Sequence, residues 1–258
     1  MFSTAVNAQT LAELLNKSQS GYSINGSVED LQDTSVILAY YFGGKQYATD
    51  TAQSVNGKFT FKGEKDLKGG MYLIVLPNQQ YFDIIVSEKR FSFSTKIKDL
   101  VGAMTFKNSK ENPPFYEYLN FITQMQKQVT PIRQQLESTE GDAQKALQDK
   151  AIAIDKQVKA FRTDYMKKYS DKFFSKIVTA TTEIVIPESP LDSIGNPDKT
   201  FPYRFYKKHF WDNIDFSDAR MLRTPIFFNK MDQYLDKLTA KHPDSINFSA
   251  DVLVNLSK

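Results

Sequence analysis

Two stretches of this chain place apolar residues in alternating steps of four and three. In the first they are Tyr118, Ile122, Met125, Val129, Ile132 and Leu136; in the second, Leu147, Ala151, Ile154, Val158, Phe161 and Tyr165. That spacing follows a helix turn for turn and gives each helix one continuous apolar seam. The link between them, Ser138 to Asp142, is short and polar and contains Gly141. Two helices on so short a link can bury their seams only by folding back antiparallel. Gln126, Lys127, Gln128, Gln134, Gln135, Lys145 and Lys150 fall on the flanks and are expected in solvent. Pro131, inside the first seam, lacks an N–H and is expected to kink or divide it. Such a hairpin is either scaffold or an arm that binds a partner along its polar face.

Before Asn108 the period is two. Tyr22, Ile24, Gly26 and Val28 alternate with Ser23, Asn25 and Ser27, as in a half-buried strand. Val36 to Phe42 is nearly continuous and apolar, which suits a strand covered on both faces. Gly43-Gly44 and Asn56-Gly57 supply tight hairpin turns. Further runs at Met71 to Leu76, Gln80 to Val86 and Phe91 to Thr95 complete an expected set of seven or eight strands. Asn108 to Pro114 is a polar linker ending in two prolines.

Beyond the hairpin, helical texture is expected from Asp171 to about Thr182 and from Phe201 to Trp211, with a surface loop over Pro187 to Thr200 between them. Thr224-Pro225 reads as an N-cap followed by proline at the first helical position. It should open a helix through Leu238, closed by His242-Pro243, with another from Ser245 to Leu256. The expected fold is α+β: an antiparallel β-sandwich or barrel over 21–110, then an all-α domain over 111–258 with a long antiparallel helical hairpin. Residues 1–20 are expected to be an N-terminal segment. There Val6-Asn7-Ala8 before Gln9 has the small residues of a signal-peptidase site, read either as an export-signal remnant or as an ordinary terminus.

Composition removes several functions. Cysteine is absent, so thiol nucleophiles, disulfides and cysteine-held metals are excluded for this chain. Two histidines leave little material for a His-based catalytic or metal site. A net charge of +3 does not point to nucleic acid, and no apolar run is long enough to span a membrane. No dinucleotide fingerprint, phosphate loop, zinc motif or catalytic carboxylate pair stands out, so no catalytic residue, metal or cofactor is assigned.

The remaining candidates concern binding. Tyr203, Arg204, Tyr206, Lys207 and Lys208 mix aromatics with positive charge, beside His209 and the lone Trp211. Such a mixture stacks on or grips a ligand, or else forms an amphipathic helix over the core. Tyr203, Arg204, His209 and Trp211 are the candidate binding residues. His209 would serve a hydrolase only beside a nucleophile and an orienting acid. His242 reads as structural, at a helix end facing free carbonyls. Asp212, Asp215 and Asp218 suggest a metal cluster by their spacing but lack the order of a calcium loop, and capping explains them better. Tyr40, Tyr41, Phe82 and Phe91 would make a sugar platform if they surfaced on one sheet face; the other reading is core.

Ile24-Asn25-Gly26, Asp50-Thr51 and Asn56 to Phe61 (NGKFTF) resemble a β-rich domain of unknown function at the N-termini of Bacteroidetes envelope proteins related to the TlpA/ResA-like thiol–disulfide oxidoreductases. Phe205 to Asp218, Arg220 to Pro225 and Tyr234 to Leu238 look like the helical domain of unknown function that follows it. In that family a thioredoxin-like domain with a C-x-x-C pair comes next. The resemblance implies an exported accessory region of the periplasm or cell envelope, without the redox domain and with its helical domain cut short at Lys258. It also implies O-glycosylation at triplets such as Asp50-Thr51-Ala52, Asp192-Ser193-Ile194 and Asp244-Ser245-Ile246.

The expected function is a non-catalytic accessory module that positions a redox domain, binds its client proteins or self-associates. The alternative is a free-standing envelope module for a glycan or peptide.

Overall fold

The computed structural model describes residues 20–258; the export-signal reading of Ala8-Gln9 lies outside them. The chain divides into two compact units. One holds the chain up to Tyr40 and Ala48–Pro113, the other Tyr41–Tyr47 and Pro114–Lys258. The whole is α+β, with eight strands followed by six α-helices among the described residues.

The strands are β1 (Tyr22–Glu29), β2 (Thr34–Phe42), β3 (Lys45–Ser54), β4 (Lys58–Gly63), β5 (Gly70–Val75), β6 (Tyr81–Val86), β7 (Arg90–Lys96) and β8 (Thr105–Lys107). They form two four-stranded sheets in a sandwich-like arrangement, ordered β4-β1-β7-β8 and β3-β2-β5-β6. β1 pairs antiparallel with β4 but parallel with β7, Ile24 lying opposite Phe91. The alternation in β1 is realised: Tyr22, Ile24, Gly26 and Val28 are buried and Asn25 and Glu29 exposed. The strand buried almost throughout is β5, not β2, whose last residue Phe42 is 45% exposed.

Phenylalanines fill the core of the β unit. Phe93 of β7 meets Phe82 of β6 edge to face at 5.5 Å and Phe59 of β4 at 5.9 Å. Edge-to-face contact suits the ring quadrupoles. Gly26 makes the close packing feasible, since a Cβ there would lie 2.4 Å from the Phe59 ring.

The helices are α1 (Asn112–Leu136), α2 (Gly141–Lys168), α3 (Phe173–Ala180), α4 (Phe201–His209), α5 (Pro225–Asp232) and α6 (Pro243–Leu256). Helices α1 and α2 are the two halves of the expected hairpin. Their seams meet most tightly near the start of α1 and the end of α2. Phe121 stacks on Phe161 at 3.7 Å, Tyr118 lies 6.1 Å from Phe161, and the Tyr165 hydroxyl donates to the Pro114 carbonyl and to Glu117 Oε2. Towards the tip, Ile122, Met125 and Val129 line a shallow cleft with Ala151, Ile154 and Val158. Pro131 does not divide α1, which runs on to Leu136. The carbonyl that Pro131 leaves unpaired belongs to exposed Lys127, where water can satisfy it.

Thr224 caps α5 as its sequence suggests, its Oγ1 accepting the Phe227 N–H at 3.3 Å. The helix expected to continue to Leu238 changes character after Asp232. Gln233–Lys237 is a π-helical turn in which the Leu238 N–H reaches back five residues to the Gln233 carbonyl. Such turns insert an extra residue and re-aim the side chains around them.

Candidate binding cavity

Helix α4 begins with Pro202 in its first turn, where a missing N–H costs nothing. On a helix, residues one turn apart share a face, so Tyr203, Arg204, Lys207 and Lys208 lie along one side. The chain then turns through Phe210 and Trp211, which are 1% and 5% exposed. Beneath them is an aromatic cluster. Trp211 meets Tyr234 at 5.3 Å and Phe216 at 5.5 Å, and Phe210 stacks on Tyr234 at 5.6 Å. Lys230 Nζ sits 4.1 Å over the Phe210 ring, and burial lowers its pKa.

These elements enclose a cavity of about 540 Å³. Its floor is Trp211, Ile214 and Tyr234, all buried, with Phe216 beside them. Phe248, Val252 and Leu256 of α6, four residues apart, form the facing wall. Tyr203 and Phe248 at the rim are 50% and 67% exposed, so the cavity opens to solvent. Arg204, Lys207 and Lys208 supply positive charge and Asp212 the one carboxylate among the lining residues. The π-helical turn carries Tyr234 into the floor, and the Leu238 carbonyl after it accepts the Tyr203 hydroxyl at 2.8 Å.

The charges are unequal in their partners. Arg204 is paired with Asp198, and Asp212 accepts or shares a proton with His209 Nδ1 at 2.7 Å. Lys207 has no carboxylate within ion-pair distance among the described residues. Its Nζ lies 3.5 Å from Thr239 Oγ1 and 5.6 Å from the centre of the Tyr234 ring. Burial lowers the pKa of Lys207 with no anion to offset it. Trp211 Nε1 is buried without a hydrogen-bond partner among the described residues.

Of the candidate residues, Tyr203, Arg204 and Trp211 line this cavity. His209 does not; its ring packs 4.2 Å from Phe205 and orients towards Asp212. It has an acid beside it but no hydroxyl bonded to its other nitrogen among the described residues, so the geometry assembles no nucleophile and base. The α6 wall was not singled out in sequence, although Phe248, Val252 and Leu256 carry the four-residue spacing that would have found it.

The other candidates take structural places. Asp218 caps a 3₁₀ turn, accepting the Arg220 N–H, and binds the Arg220 guanidinium and Lys176; Asp215 also pairs with Lys176. Among the described residues no group of three acidic, histidine or cysteine side chains is placed to hold a metal ion. His242 stands at the N-terminal cap position of α6, two-thirds exposed, rather than at a helix C-terminus. The proposed sugar platform does not form. Phe82 and Phe91 are buried and belong to different sheets, because both point into the core that the sandwich closes.

The β unit has a cleft of about 610 Å³ of different chemistry. Asn25, Ser27, Thr60, Ser92, Ser94 and Thr105 line it, with Lys58 and Lys107 at its sides. Nearby, Asp50 accepts the Tyr22 hydroxyl at 2.7 Å and the Lys62 N–H at 3.1 Å, which gives that aspartate a structural use.

Residues 22–125 match a family described as a domain of unknown function, DUF4369, and residues 157–258 match a second, DUF5106. No curated protein and no solved structure gives a match. No helix among the described residues is long and apolar enough to cross a membrane.

Proposed function

We propose that this chain is a non-catalytic accessory module of an exported thiol–disulfide oxidoreductase, working in the periplasm or cell envelope, and that its helical unit holds client polypeptides for a redox domain. One observation carries the reading: an open cavity with an aromatic floor and a cationic lip, in a chain that contains no cysteine. Such a cavity has the size and lining of a binding site. A chain without thiols cannot exchange disulfides, so its part in redox chemistry would be to hold or guide. The order of the two matched domains agrees with the resemblance to the N-terminal region of the TlpA/ResA-like proteins of Bacteroidetes.

The test is kinetic. A thioredoxin-like domain with its C-x-x-C pair is appended after Lys258 and compared with the same domain alone. The accessory reading expects KM for an unfolded, reduced protein to fall about tenfold, as for one good contact, while turnover of a small dithiol stays the same. Equal KM values for the protein substrate would overturn it.

A second reading is a free-standing envelope module for a glycan. The cleft lined by hydroxyl and amide side chains on β1, β4, β7 and β8 favours it, since those groups match a hydroxyl-rich ligand. A glycan array with Asn25→Ala and Thr60→Ala controls decides this; absence of binding removes the reading.

A further inference from the structure

We infer that the cavity between α4 and α6 takes an acidic, apolar polypeptide segment, whose apolar side chains lie on Trp211, Ile214 and Tyr234 and whose carboxylate is received by Lys207. This rests on the client-holding reading above and names the chemistry of the client.

Charge complementarity is the first argument. Three cations, Arg204, Lys207 and Lys208, line the cavity against one lining carboxylate, Asp212, which is engaged by His209, while Arg204 is paired with Asp198. The cation best placed for a ligand is Lys207, which stands over the aromatic floor with one long contact to Thr239 and, among the described residues, no carboxylate within ion-pair distance. Partial burial disfavours the charge on Lys207. An incoming carboxylate removes that cost and adds a charge-assisted hydrogen bond.

Shape is the second argument. The floor is buried, whereas the rim residues Tyr203 and Phe248 are at least half exposed. A closed tunnel would suit a free alkyl chain. An open trough lets a main chain lie across the mouth and insert its side chains downwards.

Trp211 is the single tryptophan of the chain, so its fluorescence reports occupancy directly. The full chain is titrated with a blocked octapeptide alternating leucine and glutamate, with its leucine–glutamine counterpart, and with decanoate. The inference expects saturable change in Trp211 emission with the acidic peptide, and about tenfold weaker binding of the glutamine counterpart. Lys207→Gln should bring the acidic peptide down to the level of its counterpart. Phe248→Glu, at an exposed rim position where the fold is indifferent, should weaken the acidic peptide as well. Equal binding of the two peptides overturns the inference, as does a response to decanoate with none to either peptide, or silence from all three. A KM advantage in the appended enzyme without peptide selectivity sinks this inference alone. Peptide selectivity without a KM advantage sinks the accessory reading alone.

Discussion

Asn112 grips Ile85 through two hydrogen bonds: its Oδ1 accepts the Ile85 N–H at 2.8 Å, and its Nδ2 donates to the Ile85 carbonyl at 2.7 Å. Ile85 lies in β6, the edge strand of its sheet, whose other side pairs with β5. The asparagine amide thus occupies the place of a further strand and protects an open edge. Asn112 is fully buried. Asn112→Ala strands two buried main-chain groups, and a loss of about 2–4 kcal/mol is expected. Urea unfolding checks it: the midpoint should fall with the slope unchanged.

Two glycines should differ sharply in their tolerance of alanine. Gly57 has φ +74°, and a Cβ there would lie 2.3 Å from the Val28 carbonyl oxygen. Gly43 has φ +57°, but a Cβ there meets nothing within 4 Å. Gly43→Ala should cost about 1 kcal/mol for the left-handed backbone alone. Gly57→Ala should cost clearly more, about 2–3 kcal/mol, because main chain must move. Thermal unfolding of the two variants side by side gives the comparison, and equal losses would contradict it.

Asp218 should make the helical unit acid-sensitive. The Arg220 guanidinium, bound through Nε at 2.8 Å and Nη2 at 2.7 Å, and then Lys176, hold its carboxyl well below the ordinary range. A carboxylate lowered by folding stabilises the protein above its unfolded pKa, about 3.9. That stabilisation drains away as pH falls through the folded value. Asp218→Asn should be less stable than wild type at pH 7 by about 2 kcal/mol and should lose less between pH 4 and pH 2. Urea midpoints across that range test the sign; parallel curves would refute it.

Lys207→Met should leave the fold as stable as before, or more stable by about 0.5–1 kcal/mol, since an ammonium without an anion gives way to a side chain that suits the aromatic floor. A large loss of stability in thermal melts would mean that Lys207 supports the fold rather than a ligand.

The hairpin of α1 and α2 was legible because its signal is local and repeated: Tyr118, Phe161 and Tyr165 meet where their steps of four and three put them. The strands of the sandwich were legible for the same reason. The parallel pairing of β1 with β7 was not, since nothing in Ile24 or Phe91 states which distant strand will lie alongside. The π-helical turn at Gln233–Lys237 also escaped, because one extra residue in a turn leaves no mark in composition. For the cavity, the α4 side was visible as aromatics mixed with cations at Tyr203, Arg204 and Lys207. The facing wall was not. Phe248 and Val252 look like any amphipathic helix until the fold sets them opposite Trp211.

The hairpin also has a mechanical side. At about 1.5 Å per residue, the 25 residues of α1 reach about 38 Å. Phe121, Phe161 and Tyr165 clamp one end, while the tip at Glu137 to Glu140 is polar. The arrangement is a lever with its fulcrum at the aromatic stack. From Phe121 to Leu136 the arm beyond the stack is about 22 Å, so a tilt of about 10° there would sweep the tip through about 4 Å, and a small rearrangement around Tyr165 is amplified towards the tip.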